Sequence, residues 1–294
     1  MGSDYELVPV MSWSTASNRK DIESRLRQLG GQTDDEIDVA GAALLLAALE
    51  RPQVGLERYY HHLSLLARDT EDLAARRGAE RDLDARIAVL NQVMVERYGY
   101  QGDRQSYDDL HNANLMRVID RRRGLPVALG ILYIHAARAQ GWAICGLNFP
   151  GHFMLRLDLG SQRAIIDPFN GGEIRDAAAL RSLMKTVAGK EAELRPEHTD
   201  RVGNRDILLR LQNNIKLRLI QQERSADALE VIETMLMFAP EKAALWKEAG
   251  VLHSHLDNMR AAIMAFEHYL ELAGPDPDRQ NIAALLQQLR IKLN

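Results

Sequence analysis

The sequence predicts an α+β protein: a helical N-terminal unit, a core with a small antiparallel sheet, and a helical array at the C-terminus. Three observations predict this class. Pro126–Gln140 is apolar almost all round, which is the pattern of a central buried helix. Three short strand-like runs follow it directly, and a helix followed by consecutive antiparallel strands is an α+β order. From about Asn204 the chain reads as helix to its end, with a repeat of 34 residues.

Met1 to about Ala16 reads as a flexible lead-in, and residues 17–104 as the helical unit. Thr33-Asp34-Asp35-Glu36 has the form of a capping box, in which a hydroxyl and a carboxylate satisfy the first free N–H groups of a helix. A helix is therefore predicted from there through Val39–Leu49, stopping before Pro52. Two more follow, at about Val54–Arg68 and Asp82–Tyr98. The latter carries Ile87, Leu90, Val93 and Met94 on one face and ends at Gly99. Antiparallel helices with short joints make a small bundle.

Residues 105–200 form the core. Asp108–Arg123 reads as a helix ended by Gly124, and Pro126 stands where a first helical residue is favoured. Gly141 stops the central helix. The strand-like runs are Trp142–Leu147, Phe153–Asp158 and Arg163–Asp167, with turns at Pro150-Gly151 and Asn170-Gly171-Gly172. The central helix is expected to pack on the strands that hold Cys145, Phe153 and Ile165.

In residues 201–294, Ala228, Ile232 and Pro240 recur 34 positions later as Ala262, Phe266 and Gly274, and Trp246 and Gly250 stand at matching offsets. Helix–turn–helix units with this period are the tetratricopeptide signature. Two units and a last helix, Asn281–Leu293, are too few to bury a core alone, so the array is expected to pack on the middle domain.

Composition narrows the function. The 294 residues carry 37 basic and 41 acidic side chains, a net charge of −4, which gives no footprint for nucleic acid or a membrane surface. The longest apolar runs fall short of the about 20 residues a spanning helix needs. The N-terminus lacks the basic start and apolar stretch of a secretory signal. A single cysteine, Cys145, excludes an internal disulfide framework and multi-thiolate metal sites. The expected location is the cytoplasm. His61-His62 and His253-x-His255 point apart on a helix, so no metal site and no cofactor are predicted.

Four motifs stand in order: Asn112 with Leu115 and Val118; Arg121-Arg122-Arg123-Gly124-Leu125-Pro126; Pro150-Gly151-His152-Phe153; and Asp167-Pro168-Phe169-Asn170-Gly171-Gly172. Through them the middle segment resembles the transglutaminase-like superfamily, which shares the papain-type catalytic arrangement. From about residue 17 to its end the chain resembles the bacterial SirB-type family. Ala113 departs from the Ser usual there. The resemblance implies a Cys opening the central helix, a His on a neighbouring strand and an Asp on the next, fixing the His tautomer. His152 and Asp167, 15 residues apart, fill the last two places. The nucleophile register falls at Pro126 or Val127, and no Cys, Ser or Thr occurs between Arg121 and Gly141.

Cys145 reads as a small buried hydrophobe in a strand, because it follows the helix instead of opening it. His152 and Asp167 read equally as a pair that ties two strands together or as a retained ligand or proton-transfer site. Arg121–Arg123 read as capping the end of their helix, with Arg123 pairing with a core carboxylate. Arg123, Asn112 and Asn170 are the candidate ligand contacts. Asn213, Asn214, Lys216, Arg218 and Lys247 are the candidate partner contacts, on the helices that would line a repeat groove. The expected function is that of a non-catalytic binding or regulatory protein, taking another protein or peptide through its repeats or its vestigial cleft. The alternative is a hydrolase or acyl-transferase that uses His152 and Asp167 without the cysteine.

Overall fold

The structure, a computed structural model, describes residues 18–293; the Met1–Ala16 lead-in lies outside the described residues. Asn18 caps α1 (Arg19–Gly30), accepting from the Asp21 N–H. The Thr33 box forms, with the Glu36 carboxylate accepting from the Thr33 N–H at 2.9 Å and its hydroxyl at 2.8 Å. It closes only a 3-10 turn, Asp34–Glu36. The helix predicted from Thr33 begins instead at α2 (Val39–Leu49), capped by Asp38. The reason is long-range: the Asp34 carboxylate accepts from the Asn204 and Arg205 N–H groups, both at 2.8 Å.

α3 (Glu57–Arg77) runs past the predicted Arg68 to Gly78, which holds a left-handed conformation at φ 63°. α4 (Leu83–Asn91) continues as a π-helical segment, Gln92–Arg97. The helix predicted over Asp108–Arg123 is broken. A 3-10 turn, Leu110–Ala113, precedes α5 (Leu115–Arg121), because Asn114 is extended and caps α5 by accepting from the Arg117 N–H. A short parallel pair, β1 (Gln101–Gly102) with β2 (Arg123–Gly124), then leads into α6 (Pro126–Arg138). Within α6 only His135 and Arg138 are not buried.

The sheet contains β3 (Ala143–Leu147), β4 (Leu155–Leu159), β5 (Gln162–Asp167), β6 (Glu173–Ile174) and β7 (Arg201–Val202), in the order β6-β5-β4-β3-β7 and antiparallel throughout. Alternation along the strands divides it into two faces. Ile144, Leu155, Leu157 and Ile166 join the main core around α6. Cys145 and Leu147 pack with Leu180 and Met184 of α7 (Ala177–Ala188), and Ile165 packs against that second cluster. Cys145 and Ile165 themselves lie on the face away from α6, although their strands belong to the sheet that packs on it. Phe153 does meet α6. It sits between Gly130 and Gly146, where an added Cβ would approach its ring to 2.6 and 2.7 Å.

The C-terminal array is α8 (Asn204–Gln221), α9 (Ser225–Phe238), α10 (Ala243–His255), α11 (Met259–Leu272) and α12 (Arg279–Leu293). The repeat positions Ala228, Ile232, Ala262 and Phe266 are wholly buried. The array does not stand alone: α1 packs on α9, α8 packs on α2 and α6, and one apolar cluster runs from Ile22 to Ala265. Among the described residues no helix is long and apolar enough to cross a membrane.

Because Phe153 leaves no room for a side chain at position 130, Gly130→Ala is expected to lower stability by about 1–3 kcal/mol through overpacking. Urea unfolding of the two proteins checks this.

Candidate functional site

The turn Pro150-Gly151, with Gly151 at φ 68°, delivers His152 to the foot of β4. Its Nε2 lies 2.9 Å from Asp167 Oδ1 at the end of β5. Asp167 is wholly buried, yet no lone pair of its carboxylate is wasted. Oδ1 also accepts from the Phe169 and Asn170 N–H groups, at 3.1 and 3.3 Å. Oδ2 accepts from Asn170 Nδ2 at 2.7 Å and from the Arg175 guanidinium at 3.0 Å. Burial raises this carboxyl's pKa, but the hydrogen bonds and charges of His152, Asn170 and Arg175 together outweigh it and hold the group at about 2. An ionised Asp167 accepts only, so His152 Nε2 carries the proton. The Nδ1 atom makes no hydrogen bond among the described residues, and the side chain is 12% exposed. Phe169 covers the ring edge-on, with centroids 6.0 Å apart.

The turn that holds Phe169 and Asn170, a 3-10 segment at Pro168–Asn170, packs on β1 and on α6. β2, beside β1, runs straight into α6, whose first residues are Pro126 and Val127. Both are buried and carry neither hydroxyl nor thiol. Cys145 is on the other face of the sheet, where burial pushes its thiol pKa up.

The three candidate ligand residues separate. Asn112 is wholly buried. Its side chain donates to Ser106 O at 2.6 Å and accepts from Arg121 at 3.2 Å, so it pins a loop. Asn170 bridges Asp167 to Arg104. Among the described residues Arg123 pairs with no core carboxylate; the buried one nearby, Asp103, is held by Arg121 at 2.9 Å. Arg122, at φ 59°, caps α5 through its backbone N–H, which donates to Val118 O at 2.8 Å, while its guanidinium turns to the Tyr100 hydroxyl and His62. Arg123 is exposed.

The repeat residues separate as well. Lys216 and Lys247 line a groove between units, but each meets a carboxylate, Glu248 and Asp278 respectively. Asn213 lines a separate concavity of about 1020 Å3 beside Pro150 and Gly151. Asn214 and Arg218 face the core. With Arg210, one turn before Asn214, they form a stripe at helical spacing. Arg210 donates to Phe149 O and His152 O, both at 2.7 Å, and stacks over the Phe153 ring at 5.4 Å. Arg218 donates to Tyr107 O, and the Tyr107 ring abuts Phe169 at 5.7 Å. α8 thus holds both walls around His152. Sequence reasoning missed Arg210 and Arg175; the 210–214–218 spacing was the available signal for the first.

Residues 57–213 match the family model of the transglutaminase-like superfamily. The chain belongs to this superfamily. Residues 215–287 match a tetratricopeptide repeat model. A UPF0162 protein of Vibrio cholerae is 30% identical over 83% of this chain and 89% of its own length. Protein SirB1 of Salmonella typhimurium is 25% identical, covering 71% and 78%. The UPF0162 protein YchA of Escherichia coli is 23% identical, covering 86% and 92%. His152, Asp167, Pro126 and Val127 all fall within the matched segment.

Asp167 has a folded pKa below its unfolded one, so it stabilises the fold above about pH 4 and loses that effect as pH falls toward 2. The loss attributable to this group is about 2–3 kcal/mol. Asp167→Asn is expected to be less stable than wild type at neutral pH and to show a shallower decline in acid, read by denaturant unfolding at each pH.

Proposed function

We propose that the chain is a non-catalytic, cytoplasmic member of its superfamily that works by binding, with a regulatory role exerted through a partner protein. The observation that carries this reading is the N-terminal end of α6, where Pro126 and Val127 stand in the nucleophile's place. Acyl transfer by the superfamily route needs an activated nucleophile there. The one thiol lies across the sheet, buried, with its proton held more tightly than in a free cysteine. The Asp167 network supports the same reading, because a carboxylate with this many donors serves to brace a turn whether or not chemistry takes place.

The repeats offer the binding surface. The first helices of the units, α8 and α10, and the last helix α12 line a groove of about 530 Å3 with Leu217, Ile220, Val251, Leu252 and Ile282. Leu217 is 54% and Val251 48% exposed, unusual for large aliphatic side chains at the centre of a concave face. The two lysines of the groove are already neutralised within the chain. Its recognition therefore rests on apolar side chains of the partner segment, with little dependence on salt.

One observation favours a second reading. His152 Nδ1 has no hydrogen-bond partner among the described residues, and a neutral ring could use that lone pair to take a proton from water. Hydrolysis by water activation is the chemistry left to such a pair.

Two measurements separate these readings. Incubated with peptide amides and amines, the wild type is expected to show no hydrolysis or transamidation above His152→Ala or Cys145→Ser, and alkylating reagents are expected to label Cys145 slowly until the protein unfolds. Turnover lost in His152→Ala alone would establish the hydrolase. Leu217→Glu with Val251→Glu is expected to abolish capture of the cellular partner while leaving the circular dichroism spectrum unchanged.

A further inference from the structure

Beside the His152–Asp167 pair lies a second cavity, of about 440 Å3, on the other side of Phe169. That volume falls in the range of small-ligand sites, about 300–1,000 Å3. Its wall is the β1–β2 pair, in which Gln101 and Arg123 are register partners and stand side by side. Its floor is Phe169. Gly102 admits that ring: a Cβ at position 102 would come within 2.5 Å of it, so the glycine and the aromatic floor require one another. Asn170 closes the end nearest the pair and is fixed there by Asp167.

The charges around this cavity are unequal in their pairing. Asp103 is neutralised by Arg121 at 2.9 Å, and Glu173 meets Arg175 at 3.1 Å. Arg123 makes no hydrogen bond or ion pair among the described residues. Arg104 reaches only the Asn170 side-chain oxygen and the Phe169 ring, 5.9 Å from its guanidinium carbon. Two guanidinium groups without a carboxylate partner thus share one concavity. The four charged side chains of the lining, Asp103, Arg104, Arg123 and Glu173, sum to zero, and with Arg121 and Arg175 paired to the two carboxylates the guanidinium groups of Arg104 and Arg123 are left for a ligand.

We propose that this cavity is a carboxylate-binding site, with Arg104 and Arg123 as the anion contacts and Phe169 as the platform for the ligand's apolar part. The planar fork of arginine matches a carboxylate in two parallel hydrogen bonds. The two carboxylates of the lining, Asp103 and Glu173, disfavour a phosphate dianion more than a singly charged carboxylate, and Phe169 offers nothing to a bare phosphate. The ligand class is a carboxylate attached to a small apolar group, as at the C-terminus of a peptide or in a free acylated amino acid. The inference rests on the reading that the cleft now serves binding, and it places that binding next to the His–Asp pair instead of on it.

The test uses the full chain and three probes: N-acetyl-leucine, N-acetyl-leucinamide and inorganic phosphate, each titrated by calorimetry and by shifts of the Gly102 and Asn170 amide resonances. N-acetyl-leucine is expected to bind saturably and to shift both resonances, with the amide at least about tenfold weaker, since a charged hydrogen-bonded contact is lost. Arg104→Gln with Arg123→Gln is expected to abolish saturation, and Arg104→Lys with Arg123→Lys, which keeps the charge and loses the fork, to weaken it about tenfold. Equal binding of acid and amide, tighter binding of phosphate, or unchanged binding in the folded lysine variant would overturn the proposal. Saturable binding together with His152-dependent hydrolysis of the amide would keep the site and reject the non-catalytic reading. Absence of saturable binding by any probe would reject the site and leave the repeat groove standing.

Discussion

A helix with no solvent face governs the middle of this molecule. Every element next to α6 has to meet it with apolar surface, and the chain supplies that from α2, α3, α4, α5, α8 and the sheet. Burying so much aliphatic surface is the main favourable term in holding these pieces together. The same constraint fixes the site. Phe153 fits only because Gly130 on α6 and Gly146 on β3 leave it space, and His152 is its immediate neighbour in the chain. The position of the imidazole is in that sense a by-product of core packing.

Asp167 works on the other side of the same problem. A buried carboxylate is costly unless its lone pairs are met. Here a histidine, an asparagine, an arginine and two backbone N–H groups meet them, drawn from the β4 approach, the turn after β5 and the residue just past β6. Such a network has a structural reason to persist in a fold whether or not the nucleophile does. Retention of the His–Asp pair beside a Pro-Val helix start is therefore no contradiction. Bracing the turn uses the carboxylate's lone pairs and does not need a cysteine.

How much of this could be read from the sequence differed with the range of the interaction. The buried helix, the strand order, the 34-residue repeat and the ordered motifs were legible because each depends on local pattern. The Thr33 box was legible as chemistry and misleading as a boundary: Asp34 is held by α8, 170 residues away along the chain, and the helix waits for Asp38. Asp108–Arg123 looked continuous because nothing local announces that Asn114 will cap a second helix. Cys145 was legible as a buried strand residue, but which of the two cores it joins was not, since in a structure of period two a one-residue step decides the face. Adjacent arginines divided their tasks by backbone direction, and the left-handed turn at Arg122 sent Arg121 inward and left Arg123 outside. Arg210 was invisible because its two acceptors are main-chain carbonyls, which no sequence pattern marks.

The stripe on α8 has one further consequence. A helix that belongs to the repeats by its pattern also holds the carbonyls on both sides of Pro150-Gly151 and, through Tyr107, the ring that covers His152. The repeats are therefore not a detachable module. Removing them would strip away the roof of the catalytic-type half and leave the apolar flanks of α2 and α6 open to water. Evolution cannot easily exchange this array for another by domain shuffling, since a foreign first helix would need two arginines at the same register and an asparagine between them. Modular by sequence and indivisible by packing, the chain can gain new partners by changing the outer residues of α10 to α12, while α8 stays under the discipline of the core.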